Sequence, residues 1–309
     1  MAHYFCGELR VFALLITSHQ ILMAVFVLLF GLAVGSFLNV CIWRLPRGQS
    51  ISEPAGSHCP QCGTALRGVD NIPVLSFLLL GGKCRYCKAP ISWRYPLIEA
   101  VTGAVMVVLY LFQRVGAGTN PGQVLVMGLV IALLIVASGV DFEFLIIPDE
   151  VSLFGILGGL LAGLLIPQLH VGNSPHHTLV SLTGLGAVDG LIGSVIAAVV
   201  GGGFVLVFAI IGALIFGQEA LGMGDVKLMA MVGAFLGWKV AVVAFFIAPF
   251  FGLIYGIPLL LFKDEHHMPY GPFLSGGAVL TILLRGTLCG LLERYLHIFH
   301  QIIVLVFGG

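Results

Sequence analysis

Residues 122–140 read GQVLVMGLVIALLIVASGV, and the run ends on an acid, Asp141. A helix needs about 20 largely apolar residues to cross a bilayer core roughly 30 Å thick. This run meets that need without one charged side chain, and the acid then stands at the edge of the span. Working outward, seven further apolar runs recur, at 21–43, 96–113, 150–167, 188–216, 225–239, 240–262 and 272–290. The sixth of the eight in chain order, 225–239, is short and glycine-rich, and its boundary with the next falls near Trp238-Lys239. The tail 291–309 reads either as an interfacial helix or as an extension of the last span.

Composition agrees with the runs. The chain has 309 residues, of which 59% are hydrophobic and 9% charged, whereas a soluble domain carries about 25% charged residues. The 42 glycines suit close helix packing in lipid, where small residues let backbones approach. The net charge of zero supplies no basic field for nucleic acid. The expected fold is therefore an all-α polytopic membrane protein of about eight transmembrane helices. The amino-terminal segment carries Arg10 as its only basic residue before the first run, and basic residues follow that run. This is opposite to a secretory signal, so 21–43 is expected to be an uncleaved span.

The one sizeable polar segment is 44–95. It holds Arg44, Arg47, Arg67, Lys83, Arg85, Lys88 and Arg94, half of the chain's 14 Lys and Arg, against Glu53 and Asp70. The positive-inside rule places this loop in the cytoplasm. Counting spans from there puts 141–149, 217–224 and 263–271 on the same side. Three parts follow: residues 1–43 with the first span, a four-cysteine loop domain at 44–95, and a membrane bundle at 96–309.

Within the loop stand Cys59-Pro-Gln-Cys62 and Cys84-Arg-Tyr-Cys87. Two Cys-x-x-Cys pairs about twenty residues apart predict a tetrahedral zinc site. A centre closed by four thiolates is structural. Lys83, Arg85 and Lys88 beside the second pair are expected to favour thiolate. The competing reading is two disulfides or two redox pairs, which a reducing cytoplasm disfavours. Cys6, Cys41 and Cys289 have no partner at metal spacing and read as small apolar residues.

Acids in or near spans are functional suspects. Asp141 opens Asp141-Phe-Glu-Phe-Leu-Ile-Ile-Pro-Asp149, and Asp225 closes Gly222-Met-Gly-Asp225 at the start of a span. By the span count both lie at cytoplasmic helix ends and are able to meet. Two carboxylates sharing a proton hydrolyse peptides: one activates water and the other protonates the carbonyl oxygen. The helix dipole biases Asp225, at a helix start, toward carboxylate, and Asp141, at a helix end, toward the protonated form. Read bluntly, Asp225 is an N-cap and Asp141 a membrane-edge charge. Asp149 reads as an N-cap, Glu143 and Glu150 as solvated acids, and Glu99 as a partner for a loop arginine. Asp141, Glu143, Asp149, Glu150, Glu219, Asp264 and Glu265, against Lys263 alone, form an acidic rim suited to a basic peptide. His176-His177 and His266-His267 read as solvated loop residues, and Trp43 and Trp93 as interface aromatics.

Together these pieces resemble the bacterial type IV prepilin peptidases, a family of membrane aspartic proteases. The resemblance runs through Gly35-Ser-Phe-Leu-Asn-Val-Cys-Ile-Trp-Arg-Leu-Pro46, the four cysteines, Asn71-Ile-Pro73, Gly81-Gly-Lys-Cys84, Arg94-Tyr-Pro-Leu-Ile-Glu99, Asp141 to Asp149, Gly222-Met-Gly-Asp-Val-Lys227 and Pro269-Tyr-Gly-Pro272. It implies that Asp141 and Asp225 are the catalytic acids. It implies removal of a short basic leader from prepilins, or from pseudopilins of type II secretion, at the cytoplasmic face of the bacterial inner membrane. It also implies methylation of the new amino terminus from S-adenosylmethionine, for which Asp70, Gly82 and Lys83 are the candidates. Family members often carry Glu where this chain has Asp70. No Gly-x-Gly-x-x-Gly nucleotide fold is present to hold the methyl donor. Two other classes stay open on the residues alone, a proton-coupled transporter and a non-catalytic assembly protein. A signal-peptide-peptidase type protease shares Gly-x-Gly-Asp, but this chain lacks its Tyr-Asp and Pro-Ala-Leu motifs.

Overall fold

The computed structural model describes residues 18–53, 56–115, 121–172, 178, 182–217, 221–262 and 268–307. Cys6, His176, His177, Glu219, Lys263, Asp264, Glu265, His266 and His267 lie outside them. The helices are α1 (Ser18–Arg44), α2 (Leu75–Leu79), α3 (Arg94–Val115), α4 (Pro121–Phe144), α5 (Asp149–Leu165), α6 (Gly186–Phe216), α7 (Met223–Leu236), α8 (Trp238–Phe262), α9 (Gly271–Leu283) and α10 (Arg285–Phe307). Among the described residues the only β pairings are two isolated bridges.

A helix forms at each apolar run, but the lengths divide. Five are long and apolar enough to cross a membrane: α1, α3, α4, α6 and α8. A sixth crossing arises if α9 and α10, bent by 97°, count as one broken span. The expected count of eight is thus not established. With 14 residues, α7 is about 21 Å long, short of the roughly 30 Å hydrocarbon core. The run 272–290 also does not continue as one helix, because α9 stops at Leu284 and the chain turns into α10.

The chain forms two compact units, Met1–Gly128 and Leu129–Gly309. In the first, α1 and α3 pack antiparallel. The Asn39 Nδ2 donates to the Tyr95 carbonyl at 3.1 Å. One turn further along α1, a Cβ on Gly35 would lie 2.7 Å from the Glu99 Cα, and one turn beyond that a Cβ on Gly31 would lie 2.8 Å from the Gly103 Cα. Such small-residue seams let helices meet in lipid, where no hydrophobic force drives them together.

In the second unit the short α7 is the centre. Leu228, Met229, Met231, Val232, Ala234, Phe235 and Leu236 are all buried, and α5, α6 and α8 pack around it. A helix that ends inside protein leaves carbonyls without partners. Here side chains supply them. The Ala234 carbonyl accepts from Ser194 Oγ at 2.7 Å and pairs with His170 Nε2 at 2.8 Å. The Leu236 carbonyl accepts from Arg285 Nη2 at 2.9 Å. The break expected near Trp238 falls at Gly237, whose φ of 96° suits glycine best.

Candidate active site and metal centre

The last turn of α4 carries Asp141 and the first turn of α7 carries Asp225; they are 6% and 7% exposed. Each carboxylate accepts a backbone N–H. Asp225 Oδ2 takes the Gly222 N–H at 3.1 Å, across its own helix start. Asp141 Oδ2 takes the Gly271 N–H at 2.8 Å, from the start of α9. The two acids are close enough for Asp225 to feel the charge of Asp141, and Tyr270 feels that of Asp225.

Ile147 packs against the backbone beside both acids, at Gly224 and at Gly271. A Cβ on Gly224 would lie 3.1 Å from its Cβ, and one on Gly271 would lie 3.3 Å from its Cδ1 and 2.8 Å from Asp141 Oδ2. A side chain at Gly271 would collide with the Asp141 carboxylate, and one at Gly224 would crowd Ile147. The chain reaches Ile147 through Leu145, which takes φ 54°, a conformation that costs a non-glycine residue about 1 kcal/mol. The Leu145 N–H closes the α4 end on the Asp141 carbonyl at 2.9 Å.

Asp149 is not an N-cap. Pro148 holds that position in α5 without a side-chain cap. The Asp149 Oδ1 instead pairs with Lys227 Nζ at 2.6 Å, tying the start of α5 to the start of α7. One member of the expected acidic rim is thereby neutralised, while Glu143 and Glu150 are exposed. Gly271, Ile147 and Lys227 had no role from sequence. The Gly-Pro pair at 271–272, a helix-start signal, was the available clue for the first.

In the loop, the Sγ atoms of Cys59, Cys62, Cys84 and Cys87 all lie within 4.8 Å of one another. Cys59 Sγ and Cys87 Sγ are 3.8 Å apart. The four are free thiols, at a spacing that four sulfurs around one ion require: tetrahedral ligands at about 2.3 Å stand about 3.8 Å apart. Two matching knuckles build the cluster. The Gly63 N–H donates to the Cys59 carbonyl at 2.9 Å and the Lys88 N–H to the Cys84 carbonyl at 3.0 Å. Gly63 and Lys88 both turn the chain at positive φ.

Thr64, through its hydroxyl and its N–H, draws the Cys62 thiol down to about 6. The Cys87 and Tyr86 backbone N–H groups lower Cys84. The Ala89 N–H pulls on Cys87, yet desolvation and the three neighbouring thiols carry it up to about 11. Such a cluster calls for a cation to ionise fully. The expected help from Lys83, Arg85 and Lys88 is not what favours thiolate; backbone donors do it. Arg85 faces Asp70 instead, Nε to Oδ1 at 2.7 Å. Asp70 is 7% exposed and its Oδ2 is buried without a partner. Gly82 packs under the Phe77 ring and Lys83 is exposed. Glu99 does not pair with an arginine: its Oε2 accepts the Val74 N–H at 2.7 Å. Cys41 and Cys289 are buried away from the cluster.

Apolar helices of membrane-crossing length define a multi-pass membrane protein. The chain belongs to the type IV leader peptidase family, whose model matches residues 128–257, with the bacterial peptidase A24 N-terminal domain matching residues 29–113. It is 31% identical over 285 residues to a prepilin leader peptidase/N-methyltransferase of Aeromonas hydrophila, covering 83% of this chain and 89% of that one. Proteins of the same name from Burkholderia pseudomallei strain 1026b and Myxococcus xanthus are 34% and 37% identical. These alignments cover 89% and 78% of this chain, and 89% and 64% of the relatives. No solved structure matches the chain significantly.

Proposed function

We propose that this chain removes the basic leader from prepilins or pseudopilins at the cytoplasmic face of the bacterial inner membrane, and N-methylates the residue it exposes. The observation that carries this reading is the pair of buried acids, Asp141 and Asp225, each in a terminal helix turn and each anchored by a backbone N–H, in a chain of the leader peptidase family. One carboxylate takes a proton from water as the water attacks the scissile carbonyl. The other donates its proton to the carbonyl oxygen and recovers one as the tetrahedral intermediate collapses, while the first carboxyl passes the proton it took from water to the leaving amine. Gly224 and Gly271, bare of side chains, let Ile147 and the Asp141 carboxylate pack directly on their backbone. A transporter reading wants acids near mid-span, whereas Asp141 and Asp225 occupy terminal turns.

The thiol cluster is read as a structural zinc site with Cys59, Cys62, Cys84 and Cys87 as ligands. S-adenosylmethionine supplies an electrophilic methyl group when bound. The orphaned Asp70 Oδ2 is an acceptor of the kind its cationic or hydroxyl groups require. Asp70, Gly82 and Lys83 are the residues proposed to hold it. Parts 1–43, 44–95 and 96–309 serve as first span, metal loop and peptidase bundle.

The test is purified enzyme with a synthetic prepilin and S-adenosylmethionine, read by mass spectrometry. The expected products are a free leader and a mature chain one methyl heavier. An intact substrate would reject the reading. In the same assay Gly271→Ala is expected to lower kcat by about 10²-fold with little change in KM, since a displacement of an ångström at a reacting group costs that much. The added methyl overpacks a buried position at a cost of about 1–3 kcal/mol, so the thermal midpoint falls while the protein stays folded.

A further inference from the structure

We propose that α2 is a membrane-embedded foot, its Leu75, Leu78 and Leu79 inserted with Trp93 into the bilayer interface, so that the metal loop is seated on lipid.

The level of the membrane face is marked by the ends of α1 and α3. Trp43 closes α1, Arg47 stacks on its ring at 3.5 Å, and Arg94 at the start of α3 lies 5.9 Å from the same ring. Both spans therefore end together, in an aromatic and basic collar of the kind found at headgroup depth. Trp93, immediately before α3, belongs to that collar.

Two contacts hold α2 at or below it. The Phe77 ring packs at a tilt against Trp93, with centroids 4.6 Å apart and planes 59° from parallel. The Val74 N–H, at the mouth of α2, reaches Glu99 Oε2 at 2.7 Å. Glu99 lies six residues inside α3 from Trp93, about 9 Å along the axis, and its side chain leans back toward the α3 start. The start of α2 is thus pinned below the tryptophan, not above it in water. Val74 adopts φ 60° to make this contact, a strained conformation for a β-branched residue.

At that depth α2 turns apolar side chains outward. Leu75, Leu78 and Leu79 are 49%, 62% and 77% exposed, and Trp93 is 71% exposed. Phe77 alone of the helix points inward. Water would oppose such a patch; the interface favours it. Arg67, Lys83 and Lys88 are exposed on the same loop, which suits the anionic headgroups of a cytoplasmic leaflet. The occupant is the bilayer in which α1 and α3 already stand.

The experiment places indoles at the two ends of the patch. Trp93 is isolated by Trp43→Phe with Trp238→Phe. In a second protein Leu79→Trp is combined with Trp43→Phe, Trp93→Phe and Trp238→Phe, which keeps an aromatic ring against Phe77. Both are reconstituted in phosphatidylethanolamine–phosphatidylglycerol vesicles, with the metal-bound loop confirmed by zinc content. The expected result is that both indoles are quenched by lipids brominated near the headgroup end of the acyl chain, at least about two-fold more strongly than by aqueous iodide. Free quenching of the Leu79→Trp indole by iodide would overturn the proposal, because α2 would then stand in water. Protection from both quenchers would also overturn it, because protein would cover the face. Neither readout depends on leader cleavage.

Discussion

Asp141→Asn and Asp225→Asn each lower leader cleavage by roughly 10³-fold or more, the scale of losing a positioned acid or base in addition to its partner's tuning. Asparagine keeps the size of the side chain and a carbonyl oxygen for the Gly271 or Gly222 N–H. The backbone donors therefore stay satisfied, and the cost of an orphaned buried group, about 1–3 kcal/mol, is avoided. What is lost is the capacity to exchange a proton. Asp149→Asn is the control. Its carboxylate is 57% exposed and pairs with a partly exposed Lys227, and such pairs are worth about 0–1 kcal/mol. Cleavage by that variant should remain within a few-fold of the parent. Full cleavage by either the 141 or the 225 variant, with thermal midpoints unchanged, would remove the acid pair from the mechanism.

The placement of these acids was legible because hydropathy alone sets where spans end. Asp141 follows an unbroken apolar run and Asp225 precedes another, and both fall in terminal turns of helices. The clustering of the four cysteines was legible because two Cys-x-x-Cys knuckles constrain backbone as well as sulfur. Sequence reasoning lost information where a helix is buried by protein instead of lipid. Residues 225–236 look like a span on composition, yet α7 is too short to cross, and its apolar character comes from being enclosed by α5, α6 and α8. Composition cannot separate these two reasons for being apolar. Partner identity was also out of reach where the donor is backbone. Glu99 meets the Val74 N–H, Asp141 meets the Gly271 N–H, and Cys84 leans on the Cys87 and Tyr86 N–H groups. Every residue but proline has an N–H, so no residue type announces such contacts. For Glu99 and Cys84, charge matching pointed to arginines and lysines instead, and pointed wrongly.

Removal of the metal is expected to unfold the loop. Among the described residues of 44–95, the buried apolar side chains are Cys59, Phe77 and Cys84. Two of these are proposed ligands, which leaves one phenylalanine as core. Burying such a side chain contributes about 1.5–3 kcal/mol, while fixing one residue's backbone costs about 1–2 kcal/mol. One ring cannot order a loop of this length. Structural zinc contributes apparent free energies of about 10–16 kcal/mol in small zinc peptides, which is the scale needed. Chelation, or Cys84→Ser, should therefore abolish hydrogen-exchange protection at the Cys59, Gly63, Cys84 and Lys88 amides, each of which now has a backbone acceptor or donates within a knuckle. The amides of α7, in the other compact unit, should keep theirs. Because α2 is held by Val74–Glu99 and Phe77–Trp93 and not by the sulfurs, the Leu75–Leu79 amides should lose protection less than the knuckles do. Retained protection at both knuckles in fully metal-free protein would mean that backbone pairing alone holds the loop, and the cluster would then have to be read as thiols without a structural ion.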